Sequence, residues 1–400
     1  MRKSTTLIAA TAIAALSNQA FGLFSVMGGE VGVSLTARYG YDSNINANNG
    51  QEGDDILTVT PAVTFIRERG IISLEAGASV SFQFFNDTGS DRNVLVLTPG
   101  GPTIVNQGGN DSIDPSFYLK LSGPNGIDSK TSYSALVGIQ RTSEANDLVG
   151  QRTTSWNYNG TLDIIHRLND KYGVGVTPFF QYQQYRGDSF GDVLSTGASV
   201  DGQYYYSEKL SFDAGYRFRY QHTDSVSVPP RSALESFDHT LFVGAFGVLA
   251  PKITGNAQFG VTYRDYTKSP GLSDYVYPFI NMGLDYAFDE KTVFSLTADA
   301  DGSQSPGSQG LRQIGAGVSA RHQFIRQLSA TAGFNYTHSF LDGNGLDRTD
   351  DNYAATANVK YDINKWAFAA IDARYQFNGS DNGFFRYDRW QIFGSLGVQF

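Results

Sequence analysis

Two histidines of the chain lie close enough to aspartates in the sequence to suggest acid–base chemistry. Asp238 directly precedes His239, and Asp224 follows His222 by two residues. A carboxylate beside an imidazole can hold the ring as a general base. However, polar residues of this kind are common where strands end in water, and no two of the five histidines have the i, i+4 spacing of a helical zinc motif. We therefore expect no catalytic and no metal-binding residues.

Carboxylates and amides also cluster in two segments, Asp42 to Asp55 and Asp342 to Asp351. Oxygen ligands of this type bind calcium, but neither segment matches the D-x-[DN]-x-[DN]-G pattern of a calcium loop. The chain has no cysteine, which excludes disulfides, cysteine-ligated metals and thiol nucleophiles. Its formal charge of -9 argues against nucleic acid as a partner. We expect no cofactor.

The segments that carry these residues have a period of two. In segment 209–222, one face consists of Leu210, Phe212, Ala214, Tyr216, Phe218 and Tyr220. The other face consists of Ser211, Asp213, Gly215, Arg217, Arg219 and Gln221. The same alternation recurs in 71–86 and 353–363, and it indicates strands that separate an apolar medium from water. After the first twenty residues, no apolar run is long enough to cross a bilayer as a helix.

Short charged turns and longer polar loops alternate between the strands. The short turns include 67–70, 167–171, 207–209, 251–252, 289–291, 326–327 and 364–365. The long loops are 41–54, 87–114, 144–150, 187–192, 223–235, 267–274, 302–310, 342–350 and 379–385. This alternation is typical of an all-β transmembrane antiparallel up-and-down barrel, with short turns in the periplasm and long loops outside. It predicts about eighteen strands, with sixteen and twenty left open.

Closure of the barrel requires the first strand, near Val31 to Tyr39, to pair with the last. An unpaired strand edge would leave backbone polar groups unsatisfied in hydrocarbon. The last strand alternates apolar residues as far as Leu396, Val398 and the terminal Phe400. An aromatic terminus of this kind resembles the signal by which barrel-assembly machinery recognises its substrates. We therefore interpret these three residues as an assembly signal.

The start of the chain predicts export. Residues 1–22 combine a basic start, a short apolar run and small residues, which is the pattern of a cleaved signal peptide. The mature protein is then a single barrel domain, residues 23–400. We expect it in the outer membrane of a Gram-negative type bacterium, in contact with lipid and lipopolysaccharide.

The polar face of each strand would line the lumen of such a barrel. The predicted pore-lining candidates are Asp213, Arg217, Arg219, Arg264, Arg321, Lys360, Asp372 and Arg374. Further charges on this face are Arg38, Glu75, Asp163, Asp285, Asp299 and Asp362. The two signs are balanced, which predicts weak ion selectivity. Cross-strand charge pairs that stabilise the wall are an equally good interpretation.

Aromatic side chains occur on the same face, at Tyr118, Tyr205, Tyr277, Phe279 and Phe393. They could stack on sugar rings in a saccharide channel, or they could fill the lumen. Both interpretations depend on the strand register, because a shift of one residue would turn every side chain to the other face.

The stretch Gly40-Tyr41-Asp42-Ser43-Asn44-Ile45 follows the first strand. This aromatic-Asp-x-Asn stretch resembles the Putative β-barrel porin 2 family, and the layout of short strands up to a terminal Phe is similar over nearly the whole mature chain. The resemblance implies an outer-membrane barrel often associated with exopolysaccharide production and export, with polysaccharide export machinery as a partner. It implies no catalytic residues.

Two functions of different classes fit these observations. One is a porin-like channel for the passive passage of hydrophilic solutes, including exopolysaccharide export. The other is a closed structural or adhesive barrel that acts through its extracellular loops, chiefly 87–114. An enzyme is a third class, which no motif of the chain supports.

Overall fold

The computed structural model describes residues 24–26, 28–68, 71–89, 92–98, 101–107, 109–124, 130–187, 189–227, 230–266, 269, 272–343 and 347–400. The predicted signal peptide lies outside these residues. Eighteen long strands form one antiparallel sheet in which each strand pairs with its neighbours in the sequence. In chain order they are β1 (Gly29–Asp42), β2 (Asp54–Arg67), β3 (Ser73–Phe85), β4 (Ser112–Gly123), β5 (Thr131–Asn146), β6 (Gln151–Arg167), β7 (Tyr172–Tyr185), β8 (Val193–Tyr205), β9 (Leu210–Thr223), β10 (Leu234–Ala250), β11 (Ile253–Asp265), β12 (Tyr275–Ala287), β13 (Thr292–Ser305), β14 (Gln309–Ile325), β15 (Leu328–Asp342), β16 (Arg348–Asp362), β17 (Ala367–Ser380) and β18 (Tyr387–Gln399).

The sheet closes into a barrel because β1 pairs with β18. Their ladder runs from Ser34 opposite Gln399 to Asp42 opposite Gln391. The terminal Phe400 then exchanges two backbone hydrogen bonds with Val33, of 2.8 and 3.0 Å. The remaining end of β1 pairs with a short strand, Phe24–Val26. The predicted barrel with eighteen strands is confirmed.

No helix in the described ranges is long and apolar enough to cross a membrane.

The two faces of the wall differ as the alternation predicts. On β10, Leu241 and Val243 are 61% and 60% exposed on the outer face, whereas the neighbouring Thr240 and Phe242 are buried on the inner face. The exposed apolar residues of the other strands repeat this pattern around the barrel. Such a wall suits hydrocarbon on one side and water on the other.

Four of the short turns share one local structure. Each begins with a side chain that accepts hydrogen bonds from the backbone N–H groups two and three residues later; these side chains belong to Asn169, Ser207, Asp289 and Asn364. This geometry explains why small polar residues occupy these positions. At Asp289 the bond from the Lys291 N–H holds the pKa of the carboxyl below its ordinary value.

The opposite end of the barrel, which we call the mouth, differs from the sequence-based prediction. Two predicted long loops, 144–150 and 302–310, are shorter than predicted because the strands extend into them. The β5–β6 ladder continues to Asn146 opposite Gln151, and the β13–β14 ladder continues to Ser305 opposite Gln309. Only residues 147–150 and 306–308 therefore connect these strands.

The strand register can be tested with one charge placed on either face of β14. Val318 is 54% exposed on the outer face, and the adjacent Ser319 points inward. We expect Val318→Arg to lower the free energy of unfolding from lipid vesicles by about 2–4 kcal/mol, because the guanidinium must enter hydrocarbon. The free energy of unfolding of Ser319→Arg, measured by urea denaturation, should be much closer to that of wild type. Equal losses of stability in both variants would contradict the strand register.

Candidate functional site: the mouth of the barrel

One hairpin leaves the barrel wall at the mouth. The pairing of β12 with β13 ends at Ile280 opposite Ala300, although β12 remains paired with β11 as far as Tyr275. Pro278 has no N–H to donate and cannot continue the ladder to β13. Residues 301–310, which we call the tip hairpin, are therefore released from β12 and bend into the barrel.

The tip hairpin is polar, and residues 304–310 are all buried. Gln304 accepts a hydrogen bond from Thr223 Oγ1 at 2.7 Å and donates one to Ser236 Oγ at 3.1 Å. The Ser308 hydroxyl donates to the Asp224 carbonyl at 2.8 Å. These partners lie on β9, β10 and the connection between them, three to four strands away around the barrel. The hairpin therefore crosses part of the lumen and is held there by hydrogen bonds.

Beneath the tip hairpin, two arginines hold one buried carboxylate. Asp238 on β10 is fully buried and accepts from Arg219 Nε and Nη2 at 2.9 and 2.6 Å. Arg264 on β11 is also fully buried, and its Nε and Nη2 donate to Asp238 at 2.6 and 2.8 Å. Two forked guanidinium–carboxylate contacts fix all three side chains.

The same arginines hold the hairpin itself. Arg264 Nη1 donates to the carbonyl of Ser303 at 2.9 Å, and Arg219 Nη2 donates to that of Gly302 at 2.5 Å. A Cβ atom at Gly302 would lie only 2.8 Å from Arg264 Nη2 and 2.6 Å from the Tyr277 hydroxyl, so this close approach requires glycine.

Asp301, the first residue of the tip hairpin, binds Arg217 and Arg219. Its carboxylate accepts two bonds of 3.2 Å from Arg217 Nη2 and bonds of 3.1 and 2.9 Å from Arg219. The Arg217 guanidinium also stacks over the ring of Phe279, 4.6 Å from its centroid. Asp301 thus connects the hairpin to the inner face of β9, four strands away around the barrel.

A second connection crosses the mouth elsewhere. Residues 147–150 reach the far wall, where Gln376 donates to Asp147 at 2.7 Å and Arg348 donates to the Leu148 carbonyl at 3.1 Å. Asn48, after β1, donates to the Gly150 carbonyl at 2.7 Å. The first two contacts join the β5–β6 connection to β17 and β16, at least six strands away around the barrel. Two inward-folded segments therefore narrow the mouth.

The Gly40–Ile45 stretch of the family resemblance belongs to this second group. Asn44 and Ile45 are fully buried, and Asn44 donates to the Asn48 carbonyl at 2.7 Å. Asp42 accepts from Arg389 Nε at 2.9 Å and from Gln391 at 2.8 Å. Asp42 and Asn44 therefore fix the conformation of the loop that follows β1 at the mouth of the barrel.

The structure places the predicted pore-lining residues in different surroundings. Arg217, Arg219 and Arg264 converge on the tip hairpin, and the buried Asp213 accepts from Gln258 at 2.6 Å further from the mouth. Lys360, Asp372 and Arg374 also point inward and bind residues of the same or the adjacent strand: Asp362, Asn358 and Gln376 respectively. Arg321 is inward and exposed. That these eight residues line an open channel stays a prediction.

The inward aromatic residues have polar or cationic partners. Tyr118 donates to Glu75 at 3.0 Å, Tyr205 donates to Gln203 at 2.8 Å, and Arg38 lies 3.7 Å from the ring centroid of Phe393. Tyr277 lies within 3.5 Å of Arg219 and Arg264. Their rings thus help to order the charged groups of the inner wall.

The histidine–aspartate pairs do not form a common site. Asp238 points into the lumen, whereas His239 is on the outer face and stacks with Tyr216 and Tyr263. His222 does lie 3.0 Å from Asp224, also on the outer face. Residues 187–191 match the letters of a G-x-S-x-G elbow, but they lie between two strands instead of between a strand and a helix. In the described ranges, no three His, Asp or Glu residues are arranged to hold a metal ion.

Sequence reasoning missed the tip hairpin. Residues 302–310 consist of glycine, serine, glutamine and proline without any charge, which is typical of an exposed loop. Pro278 on the neighbouring strand was at most a weak signal, since Pro61 and Pro178 also interrupt one ladder of their strands and pairing resumes at the next residue.

Comparisons with known proteins relate the chain to one family and to several solved barrels. Residues 229–400 match the family Putative beta-barrel porin 2, which confirms the predicted resemblance; the Gly40–Ile45 stretch lies outside the matched residues. No curated protein matches the chain. Similar solved structures include OpdK of Pseudomonas aeruginosa with vanillate (10% identity, 92% of this chain and 99% of that one, TM-score 0.47). Another is OccAB4 of Acinetobacter baumannii (12% identity, 93% of this chain and 98% of that one, TM-score 0.45). A third is a mutant of the ferric enterobactin receptor PfeA of Pseudomonas aeruginosa (8% identity, 96% of this chain and 81% of that one, TM-score 0.46).

Proposed function

We propose that the protein is an outer-membrane channel through which hydrophilic solutes pass passively, with a mouth narrowed by the tip hairpin. The observation that carries this proposal is the closed wall of eighteen strands with an apolar outer face and a polar inner face. An eighteen-stranded barrel is wide enough to enclose an aqueous lumen. The family match over residues 229–400 supports the same class of protein.

The proposal includes the route to the membrane. The signal peptide would be removed on export, and barrel-assembly machinery would recognise the last strand through Leu396, Val398 and Phe400. The pairing of Phe400 with Val33 supports a role for the terminal residue in closing the barrel. The mature protein would then lie in the outer membrane of a Gram-negative type bacterium, in contact with lipopolysaccharide.

Planar-bilayer recording of the purified protein tests the channel. We expect stable, small conductance steps, because the mouth is narrowed, with weak preference between potassium and chloride, because charges of both signs line the inner face. A folded protein that produces no steps over many insertions would contradict the proposal.

Within this function, we infer exopolysaccharide as a candidate solute, with polysaccharide export machinery as a partner. The support is the family match together with aromatic rings on the inner face. A gene deletion in the producing bacterium should lower the exopolysaccharide released into the medium. Unchanged release of exopolysaccharide would refute this choice of solute but would not contradict the proposed channel.

The two segments that cross the mouth favour one alternative, a closed barrel that acts through its loops. The hairpin formed by residues 92–98 and 101–107 extends the longest connection, between β3 and β4. Deleting residues 92–107 should abolish cell attachment if this alternative holds and should leave attachment unchanged if the protein is a channel.

A further inference from the structure

The geometry of the tip hairpin points to a carboxylate-binding site that the protein itself occupies. We propose that Arg217 and Arg219 bind the carboxylate of an acidic solute, and that Asp301 fills this position when no solute is present. The inference rests on the proposed channel function and names a class of solute for it.

The first observation is the unequal attachment of the two aspartates. Asp238 has no exposed surface and is held by two arginines. The side chain of Asp301 is 36% exposed, and it belongs to a segment that has left its strand partner β12. Asp301 is therefore the carboxylate that an incoming solute could displace.

The second observation is the excess of positive charge. Within the ion-paired cluster itself, three arginines contact two aspartates, which leaves one net positive charge, or two once Asp301 moves away. The Nε atom of Arg217 is buried and has no hydrogen-bond partner among the described residues. Because a buried unsatisfied donor is unfavourable, a ligand with more acceptor oxygens than Asp301 would bind better.

The third observation is the aromatic surroundings. Phe279 lies under Arg217, and the Tyr277 hydroxyl is 3.4 Å from Arg219. A uronic acid carries its carboxylate on a sugar ring. Its carboxylate would bind the guanidinium groups of Arg217 and Arg219, and its ring would lie beside the two aromatic side chains. Arginine is suited to this role because its planar fork matches a carboxylate.

Binding of glucuronate to the purified protein in detergent, measured by calorimetry, tests the site. We expect Asp301→Ala to bind glucuronate about tenfold or more tightly than wild type, because the internal competitor is gone. Glucose should not bind to either protein, since it has the ring without the carboxylate. Acetate should bind to the variant more weakly than glucuronate, since it has the carboxylate without the ring.

Two variants control for charge and folding. Asp299→Ala removes a negative charge from the same face of β13 without touching the guanidinium groups of Arg217 and Arg219, so its affinity for glucuronate should rise far less than that of Asp301→Ala. In the Asp301→Ala background, Arg217→Lys keeps the positive charge but loses the planar guanidinium. This double variant should lose most of the increase in affinity for glucuronate. An equal gain in Asp299→Ala, or full binding in the Arg217→Lys double variant, would overturn the proposal.

The measurement does not depend on conduction. A protein that binds glucuronate but forms no channel would refute the proposed function and keep the site. A protein that conducts, but whose Asp301→Ala variant binds no better than wild type, would refute the site and keep the channel.

Discussion

Replacing residues 304–310 with an Asn-Gly turn is expected to raise the single-channel conductance severalfold. The replacement joins Ser303 to Leu311, which are paired opposite each other, and a two-residue Asn-Gly turn suits such a hairpin. It removes seven buried residues from the lumen and no charged one. The channel should therefore become wider while its ion selectivity changes little.

Planar-bilayer recording measures this effect, and the shift of the folded protein on unheated gels verifies that the barrel has formed. The control is Gln304→Ala, which removes three side-chain hydrogen bonds but keeps the hairpin at full length. Its conductance should remain close to that of wild type. A folded truncated protein with unchanged conductance would show that the tip hairpin does not limit the flow of ions.

Asp238→Asn is expected to cause the largest loss of stability among single substitutions at the mouth. The change leaves the buried Arg264 without its carboxylate partner and leaves Arg219 paired with Asp301 alone. Removal of one partner from a buried ion pair costs about 3–5 kcal/mol, because the remaining charge is not compensated. Urea denaturation of the folded barrel, followed by tryptophan fluorescence, should report this loss in the free energy of unfolding.

A second aspartate at the mouth provides the matched control. Asp342 pairs with Arg312 at 2.5 Å, but both side chains are about one third exposed. Asp342→Asn should therefore cost only about 0–1 kcal/mol. If both substitutions had equally small effects, the cluster around Asp238 would not be a structural anchor.

Most of the barrel wall follows directly from the sequence. The alternation in segment 209–222 predicts which residues of β9 face the lumen, and the structure places Arg217 and Arg219 there. The face on which each side chain lies can be predicted because it depends only on the two-residue alternation within the strand. Four of the short turns could be predicted for the same reason, since the side chain that caps each of these turns lies within it. The predicted short turns nevertheless did not include the connection 124–130 between β4 and β5, although it contains Asp128 and Lys130.

The mouth could not be predicted in the same way. Contacts such as those of Asp301 with Arg219, or of Gln376 with Asp147, join residues 82 and 229 positions apart. Alternation along one strand contains no information about such distances. The sequence could identify the charged residues of the inner row, but it could not indicate that Asp301, absent from the candidates, would complete their cluster. Nor could it distinguish a polar loop in solvent from a polar hairpin buried inside the barrel.

The position of the tip hairpin can be tested most directly by the reactivity of a single thiol. The chain has no cysteine, so each variant carries only one. Ser305 is 1% exposed and its hydroxyl has no hydrogen-bond partner among the described residues, so Ser305→Cys should be tolerated. Asn49→Cys, on an exposed part of the loop after β1, is the control.

With a charged maleimide and the folded protein in detergent, we expect Ser305→Cys to react many times more slowly than Asn49→Cys, and to react at the same rate once both proteins are unfolded. Equal rates in the folded proteins would place the tip hairpin in solvent and would contradict a mouth narrowed by residues 301–310.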